Sequence, residues 1–249
     1  MITDCYDIET APMIRLEDFY GEQKHLVEIC LIVFSKEIHT HLLETYDCKE
    51  IGRLTACNGD TSIYRMRYRD TDVAFYLTGI GSAVAASMCC EANWVTGATK
   101  FIMFGSCGSL DKEKTAGNFI IPTESYRGEG CSYYYAEPAD YIEVRNSRKL
   151  AAIFEELGAP YVLGKVWTTD SMLRETAGLV AKRKAEGCIA VEMELAGVQA
   201  ACDFYGLELY DFLEAGDALE ESGYQVEGLQ KANHNLGKLY IALEAALRI

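Results

Sequence analysis

The chain has 249 residues, with 38 acidic and 23 basic side chains and a formal charge of −15. With 49% apolar and 24% charged residues, it is no disordered chain, and the lack of a visible linker favours one α/β domain over two. The acidic balance excludes a general affinity for nucleic-acid phosphates, which needs a basic face, yet leaves room for a local anion site.

Residues 1–26 are polar and irregular, and are expected to form an N-terminal arm over the surface or over a neighbouring subunit. Residues 27–249 form the domain proper. Val27–Phe34 reads as a buried strand and Lys36–Thr45 as a short helix. Ile63–Arg69 and Val73–Thr78 read as an antiparallel pair across Asp70–Thr71–Asp72. Gly79–Gly81 ends that pair, and Ser82–Thr96 is an Ala-rich helix with Ser82 placed as its N-cap. Phe101–Phe104 is a strand that runs into a turn at Gly105–Gly108. Asn118–Pro122 and Tyr161–Thr168 are further strands, separated by a helix at Ser147–Leu157.

The last third repeats the rhythm, with a strand at Cys188–Val191, a helix at Glu194–Tyr205 and a strand at Glu208–Leu213. Leu229, Ala232, Leu236, Leu239, Tyr240, Leu243 and Leu247 recur at helical spacing, which predicts one C-terminal amphipathic helix. Strands alternating with helices predict a largely parallel or mixed sheet covered on both faces. Ligands in such a fold gather at the carboxyl ends of strands. Three ends stand out: Gly105–Gly108, Val191–Glu194 and Leu213–Asp217.

The start of the chain lacks the basic and apolar regions of a secretory signal, and no apolar stretch reaches the roughly 18–20 residues of a bilayer span. The ten cysteines include no C-x-x-C, and the four histidines form no H-E-x-x-H. Reduced thiols in a cytoplasmic protein, with no zinc site, are the expectation.

Gly79-Ile-Gly81-Ser-Ala-Val84 begins like a dinucleotide fingerprint, but Val84 replaces the third glycine and no acid stands about twenty residues on. A tight turn beside a cleft fits better. No P-loop is present, and Ser106 lies outside any G-x-S-x-G elbow with no histidine placed as its base, which argues against a serine hydrolase. Phe104-Gly-Ser-Cys-Gly108 could hold an oxyanion with amides and the Ser106 hydroxyl; a structural turn accounts for it equally well. In Ala190-Val-Glu-Met-Glu-Leu-Ala196, two carboxylates directly follow a buried strand, a costly position unless they are paired or functional. One of them can grip a ribose diol, with the methionine as an apolar surface for the sugar. An acidic first turn complementing the helix dipole is the alternative. Asp217, just past a strand, can protonate a leaving nucleobase if burial raises its pKa, or can simply serve as a turn residue.

Together Gly105-Ser-Cys-Gly108, Val191-Glu-Met-Glu194 and Gly216-Asp217 resemble, in order and approximate spacing, the purine nucleoside phosphorylase and uridine phosphorylase family, which includes the methylthioadenosine nucleosidases. Thr78-Gly-Ile-Gly81 and Trp167-Thr-Thr-Asp170 fit the same pattern, so the resemblance spans about residues 27–247. It implies a single-domain, three-layer α/β/α fold around a distorted mixed sheet, assembled as a hexamer or dimer in which one subunit often completes a neighbour's site. Carried over, Glu194 matches the carboxylate on the ribose 2′- and 3′-hydroxyls, beside Glu192, and Met193 the residue under the sugar. Met172, shortly after Thr169-Asp170, falls where a ring often lies against the base. Asp217 matches the acid that protonates N7 of a purine, and Ser106, beside Gly105, the hydroxyl that helps bind phosphate. Gly81 belongs to the turn lining the same cleft.

The departures lie at the phosphate end. Phe34-Ser-Lys-Glu-Ile38 replaces the family's Gly-Asp-Pro-x-Arg loop, Met103 replaces an arginine before the Gly-Ser pair, and a third arginine falls near Gly59. Lys36, Arg53, Arg65 and Arg67 are the candidate substitutes, because a charged phosphate needs two or three cations or many amide donors. Thr176 and Gly178 occupy the places of the uracil-reading Gln and Arg. No arginine follows Asp217 to assist the acid; Lys231 is the nearest candidate. The resemblance implies cleavage of the N-glycosidic bond of a purine or pyrimidine nucleoside by phosphate, giving free base and pentose 1-phosphate. It implies no metal or organic cofactor, inorganic phosphate as co-substrate, and neither nucleic acid nor membrane as partner. A nucleosidase using water, with Glu37 as its activating carboxylate, and a non-catalytic nucleoside-binding protein are the alternatives.

Overall fold

The apolar run at the start of the domain forms strand β1 (Ile29–Val33), whose five residues are all buried. The computed structural model describes residues 1–221 and 223–249. Ten further strands follow: β2 (Lys49–Leu54), β3 (Thr61–Tyr68), β4 (Thr71–Leu77), β5 (Lys100–Ser109), β6 (Phe119–Gly128), β7 (Tyr141–Glu143), β8 (Tyr161–Thr169), β9 (Cys188–Glu192), β10 (Glu208–Glu220) and β11 (Gly223–Gln225). The helices are α1 (Leu16–Tyr20), α2 (Lys36–Thr45), α3 (Ser82–Thr96), α4 (Lys112–Thr115), α5 (Ser147–Leu157), α6 (Ala177–Ala185), α7 (Leu195–Tyr205), α8 (Leu229–Asn233) and α9 (Leu236–Ala246).

The sheet runs β11-β10-β6-β8-β9-β5-β1-β4-β3-β2, and β10 also pairs with β5. The path β5–β10–β6–β8–β9 therefore closes on itself, and this closure is the distortion of the sheet. Pairing is mixed: β1 is parallel to β4 and β5, whereas β5 is antiparallel to β9. Alternate residues feed two cores, as the two-residue period of a strand requires. Ile32, Tyr76 and Met103 face α3 and α7, while Val33, Phe75 and Phe104 face α2, α5 and α9. The three-layer α/β/α architecture is thus observed.

Several expected boundaries move. The Gly105–Gly108 segment is no turn but the continuation of β5, held by β10 on one side and by β9 at Gly108 on the other. Asp217 likewise lies inside β10, which is thirteen residues long. The N-cap of α3 is Gly81, not Ser82; its φ of +103° suits glycine and not an L side chain. The predicted C-terminal helix is two helices, because the chain breaks at His234 and the Asn235 side chain caps α9 through the Gly237 amide at 2.9 Å. The N-terminal residues pack on α3: the Tyr20 hydroxyl donates to Glu91 at 2.6 Å and Trp94 Nε1 donates to the Gly21 carbonyl at 2.9 Å.

Candidate active site

The carboxyl ends of β1, β5, β9 and β10 surround a cavity of ≈ 630 Å³. Gly105, Ser106, Met172, Glu192, Met193, Glu194, Asp217 and Lys36 all line it. The three strand ends singled out by the sequence therefore meet at one place.

The sugar-binding candidates are fixed by the start of α3. The Gly81 amide donates to Glu194 Oε1 at 2.6 Å, and Ser82 Oγ donates to the carbonyls of Met193 and Glu194 at 3.0 and 3.2 Å. Gly81 itself thus acts behind the cavity, whereas Ile80 lines it. Burial pushes Glu194 up to about 7. Glu192 has a different job. Its Oε2 accepts the amides of Glu194 and Leu195 at 2.6 and 2.7 Å, and its Oε1 accepts the Thr168 hydroxyl. These bonds occupy both oxygens and cap the N-terminus of α7, where a carboxylate is favoured by the helix dipole. Burial and the charge of Glu194 push Glu192 up to about 8 against those bonds.

At the base end, Asp217 stands with Met172, Leu173, Glu175, Leu219 and Tyr224. Burial raises the Asp217 carboxyl, and the Tyr224 hydroxyl beside it works the other way. Asp217 also borders a smaller cavity of ≈ 320 Å³, which contains no other predicted site residue. A bulge aims this acid: Ala215 pairs with Cys107 and Asp217 with Gly108, so Gly216 is the extra residue. The bulge is packed against the chain entering α8, where a Cβ on Gly228 would lie 2.5 Å from the Gly216 carbonyl.

The opposite end carries Ser35, Lys36, Ser106, Asn233, His234 and Lys238. Ser106 donates to Asn233 Oδ1. Ser35 Oγ and His234 Nδ1 are 2.7 Å apart, and His234 Nε2 lies 3.7 Å from Glu37. Lys238 is 1% exposed; its ammonium donates to the carbonyls of Gly105, at 3.1 Å, and Ala232, and burial lowers it to about 8. Asp211 is also 1% exposed and lines the cavity, yet neither of its oxygens has a partner. Burial, together with Glu192 and Glu194, raises it well above the carboxylate range.

Other sequence candidates lie elsewhere. Arg65 is on β3, 3.8 Å from Asp72, and does not line the cavity; Arg53 and Arg67 are held by Glu50 and Asp72 at 2.8 and 3.0 Å on the surface. None of the three reaches Ser106 within the chain. Thr169 is buried and accepts the Ser171 amide at 3.2 Å, outside the cavity lining. Glu37 is exposed and reaches the cavity only through His234. Lys231 is exposed and away from Asp217's cavity.

A family model described as the phosphorylase superfamily matches residues 28–240, and the chain belongs to that family. A guanosine phosphorylase of Halorubrum lacusprofundi is 28% identical over 188 residues, 74% of this chain and 75% of the relative. Purine nucleoside phosphorylases of the DeoD type from Alkaliphilus metalliredigens and Caldanaerobacter subterraneus are each 24% identical, over 85% of this chain and 89% and 90% of their own lengths. No described helix is long and apolar enough to cross a membrane.

Proposed function

We propose that the chain is a nucleoside phosphorylase, a pentosyltransferase that cleaves a purine nucleoside with inorganic phosphate to free base and pentose 1-phosphate. The convergence of Glu194, Met193 and Asp217 on one cavity carries this reading. The relatives, named as purine nucleoside and guanosine phosphorylases, support it and favour a purine.

Glu194 holds the 2′- and 3′-hydroxyls while Met193 supports the sugar. As the C1′–N9 bond lengthens, its electron pair moves into the base and positive charge grows on C1′. Asp217 gives its proton to N7, so the base leaves neutral; such acid assistance contributes on the order of 10²–10⁴-fold. A phosphate oxygen then forms the new bond to C1′. Ser106, Lys36, His234 and the amides opening α2 are the donors available to that phosphate in place of the family's arginines. The reading requires no metal or organic cofactor.

Hydrolysis is the second reading. It is favoured by the chain from Glu37 through His234 to Ser35, which could orient a water in a cavity that no arginine lines. Purified protein incubated with inosine, guanosine, adenosine and uridine, with and without phosphate, separates the two. Base release that needs phosphate and yields pentose 1-phosphate supports the proposal, and equal release without phosphate overturns it. Tight binding with no release would leave only a binding function.

A further inference from the structure

Ser125 on β6 and Thr168 on β8 are completely buried and lie outside the cavity lining. A buried hydroxyl is costly unless it is bonded, so its partners account for its presence. Thr168, in register with Glu192 across the β8–β9 pair, donates its one proton to Glu192 Oε1. It accepts the Ala196 amide at 3.0 Å, and Ser125 Oγ lies 2.6 Å away. Because the Thr168 proton is already given to Glu192, the Ser125 hydroxyl is the donor in that last contact. Glu192 Oε2 in turn accepts the amides of Glu194 and Leu195 at 2.6 and 2.7 Å. The chain from Ser125 through Thr168 to Glu192 therefore fixes three successive amides, those of Glu194, Leu195 and Ala196, where Met193 and Glu194 enter the cavity wall. Thr169, the neighbour singled out by the sequence, takes no part in it and accepts the Ser171 amide instead.

We propose, resting on the function above, that Thr168 is a positioning residue for recognition of the ribose diol, with Ser125 aligning its hydroxyl. Thr168 touches no substrate. Its hydroxyl holds the Glu192 carboxyl in the orientation that binds the Glu194 amide, while the Gly81 amide holds Glu194 Oε1 at 2.6 Å. Backbone and carboxylate of Glu194 are thus tied to different parts of the fold, and the other oxygen is left for the sugar hydroxyls. A group set in place before the ligand arrives loses less freedom on binding and in the transition state. Without the Thr168 hydroxyl, Glu192 Oε1 stands in buried space with no partner, and the carboxyl turns to find one. Ser82 still holds the carbonyls of Met193 and Glu194 from α3 at 3.0 and 3.2 Å, so the segment loosens and does not unfold.

The test compares wild type with Thr168→Val, which keeps the shape and removes the hydroxyl, and with Thr168→Ser, which keeps the hydroxyl. Base release is followed from inosine and from 2′,3′-dideoxyinosine in saturating phosphate. Thr168→Val should lower kcat/KM on inosine about tenfold and on the dideoxynucleoside less than about twofold, so that preference for the diol shrinks. Thr168→Ser should keep the wild-type ratio of the two substrates within about twofold. Added to Glu194→Gln, Thr168→Val should cost less than about twofold more on inosine, because the residue it acts through is already altered. Equal losses on both nucleosides, or full additivity with Glu194→Gln, would make Thr168 merely structural, and an unchanged ratio would remove it; each overturns the proposal. Should Thr168→Val fail to fold, Ser125→Ala carries the same test with about a threefold loss on inosine. Release that does not need phosphate defeats the phosphorylase reading and leaves this test intact, since it reads the ribose and not the acceptor. If wild type releases no base at all, the ratio of dissociation constants for the two nucleosides, measured by calorimetry, decides the proposal by the same criteria.

Discussion

The carboxylate of Glu194 accepts the backbone amide of Gly81 at 2.6 Å, joining two segments 113 residues apart. One oxygen is thereby anchored, and the side chain is set in the wall of the cavity before any ligand arrives. Glu194→Gln keeps an oxygen for Gly81 but removes the anionic acceptor for the ribose diol. Hydrogen bonds to charged groups are worth about 1.5–3 kcal/mol, so kcat/KM should fall roughly 10- to 150-fold with little change in melting temperature. Wild type should discriminate against 2′,3′-dideoxynucleosides by a comparable factor; equal activity on them would contradict the assignment.

Asp217→Asn preserves size and removes the transferable proton. Turnover of a purine nucleoside should drop by about 10²–10⁴, while nucleoside affinity by calorimetry stays within about threefold. Unchanged turnover would take Asp217 out of the acid role.

Ser106→Ala tests the anion end. The hydroxyl now donates to Asn233 and is free to turn towards a ligand oxygen. Losing one hydrogen bond of about 0.5–1.5 kcal/mol should raise KM for phosphate roughly 2- to 13-fold and leave KM for the nucleoside nearly unchanged. A shift confined to the nucleoside KM would place Ser106 against the substrate instead.

Stability should fall as pH rises from about 5 to 8. Folded-state pKa values of Asp211, Glu192 and Glu194 are all raised, the last two to about 8 and 7. The native state therefore holds protons that the unfolded chain releases. The associated stability is complete below the ordinary carboxylate range and is lost on passing through pH 7–8, by up to about 1.4 kcal/mol per pH unit for each proton. Above pH 8 the lowered Lys238 works in the opposite sense. Asp211→Asn should flatten the slope of melting temperature against pH. A slope identical to wild type would mean that Asp211 is ionised throughout.

The convergence of Glu192, Met193, Glu194 and Asp217 on one cavity was legible because each signal is local in sequence: a buried strand followed at once by two acids, and an acid just past another strand. The separate duties of Glu192 and Glu194 were not, since only the fold shows which one caps α7. Gly105–Gly108 read as a turn because its glycines suggest one, yet pairing with β10 and β9 keeps the segment extended. His234 was hidden by an unbroken helical stripe of apolar residues, which carried no sign of the break before α9. Lys238, between two apolar residues of that stripe, gave no sign that its ammonium is buried. Asp211 did carry a signal, an acid inside the apolar run Leu209–Leu213, which is costly without a function or a proton. Glu175 carried none, although it lines the same cavity as Asp217.

The bulge at Gly216 makes the chemistry depend on a count of residues as well as on their kinds. Deleting that single glycine would slide Asp217 through Glu220 by one step, exchanging the sides on which they project, and Asp217 would turn away while remaining in the chain. On the acid role proposed for Asp217, a chain lacking that extra residue would keep the aspartate letter and lose the proton donor, so the spacing is a sharper mark than the aspartate itself.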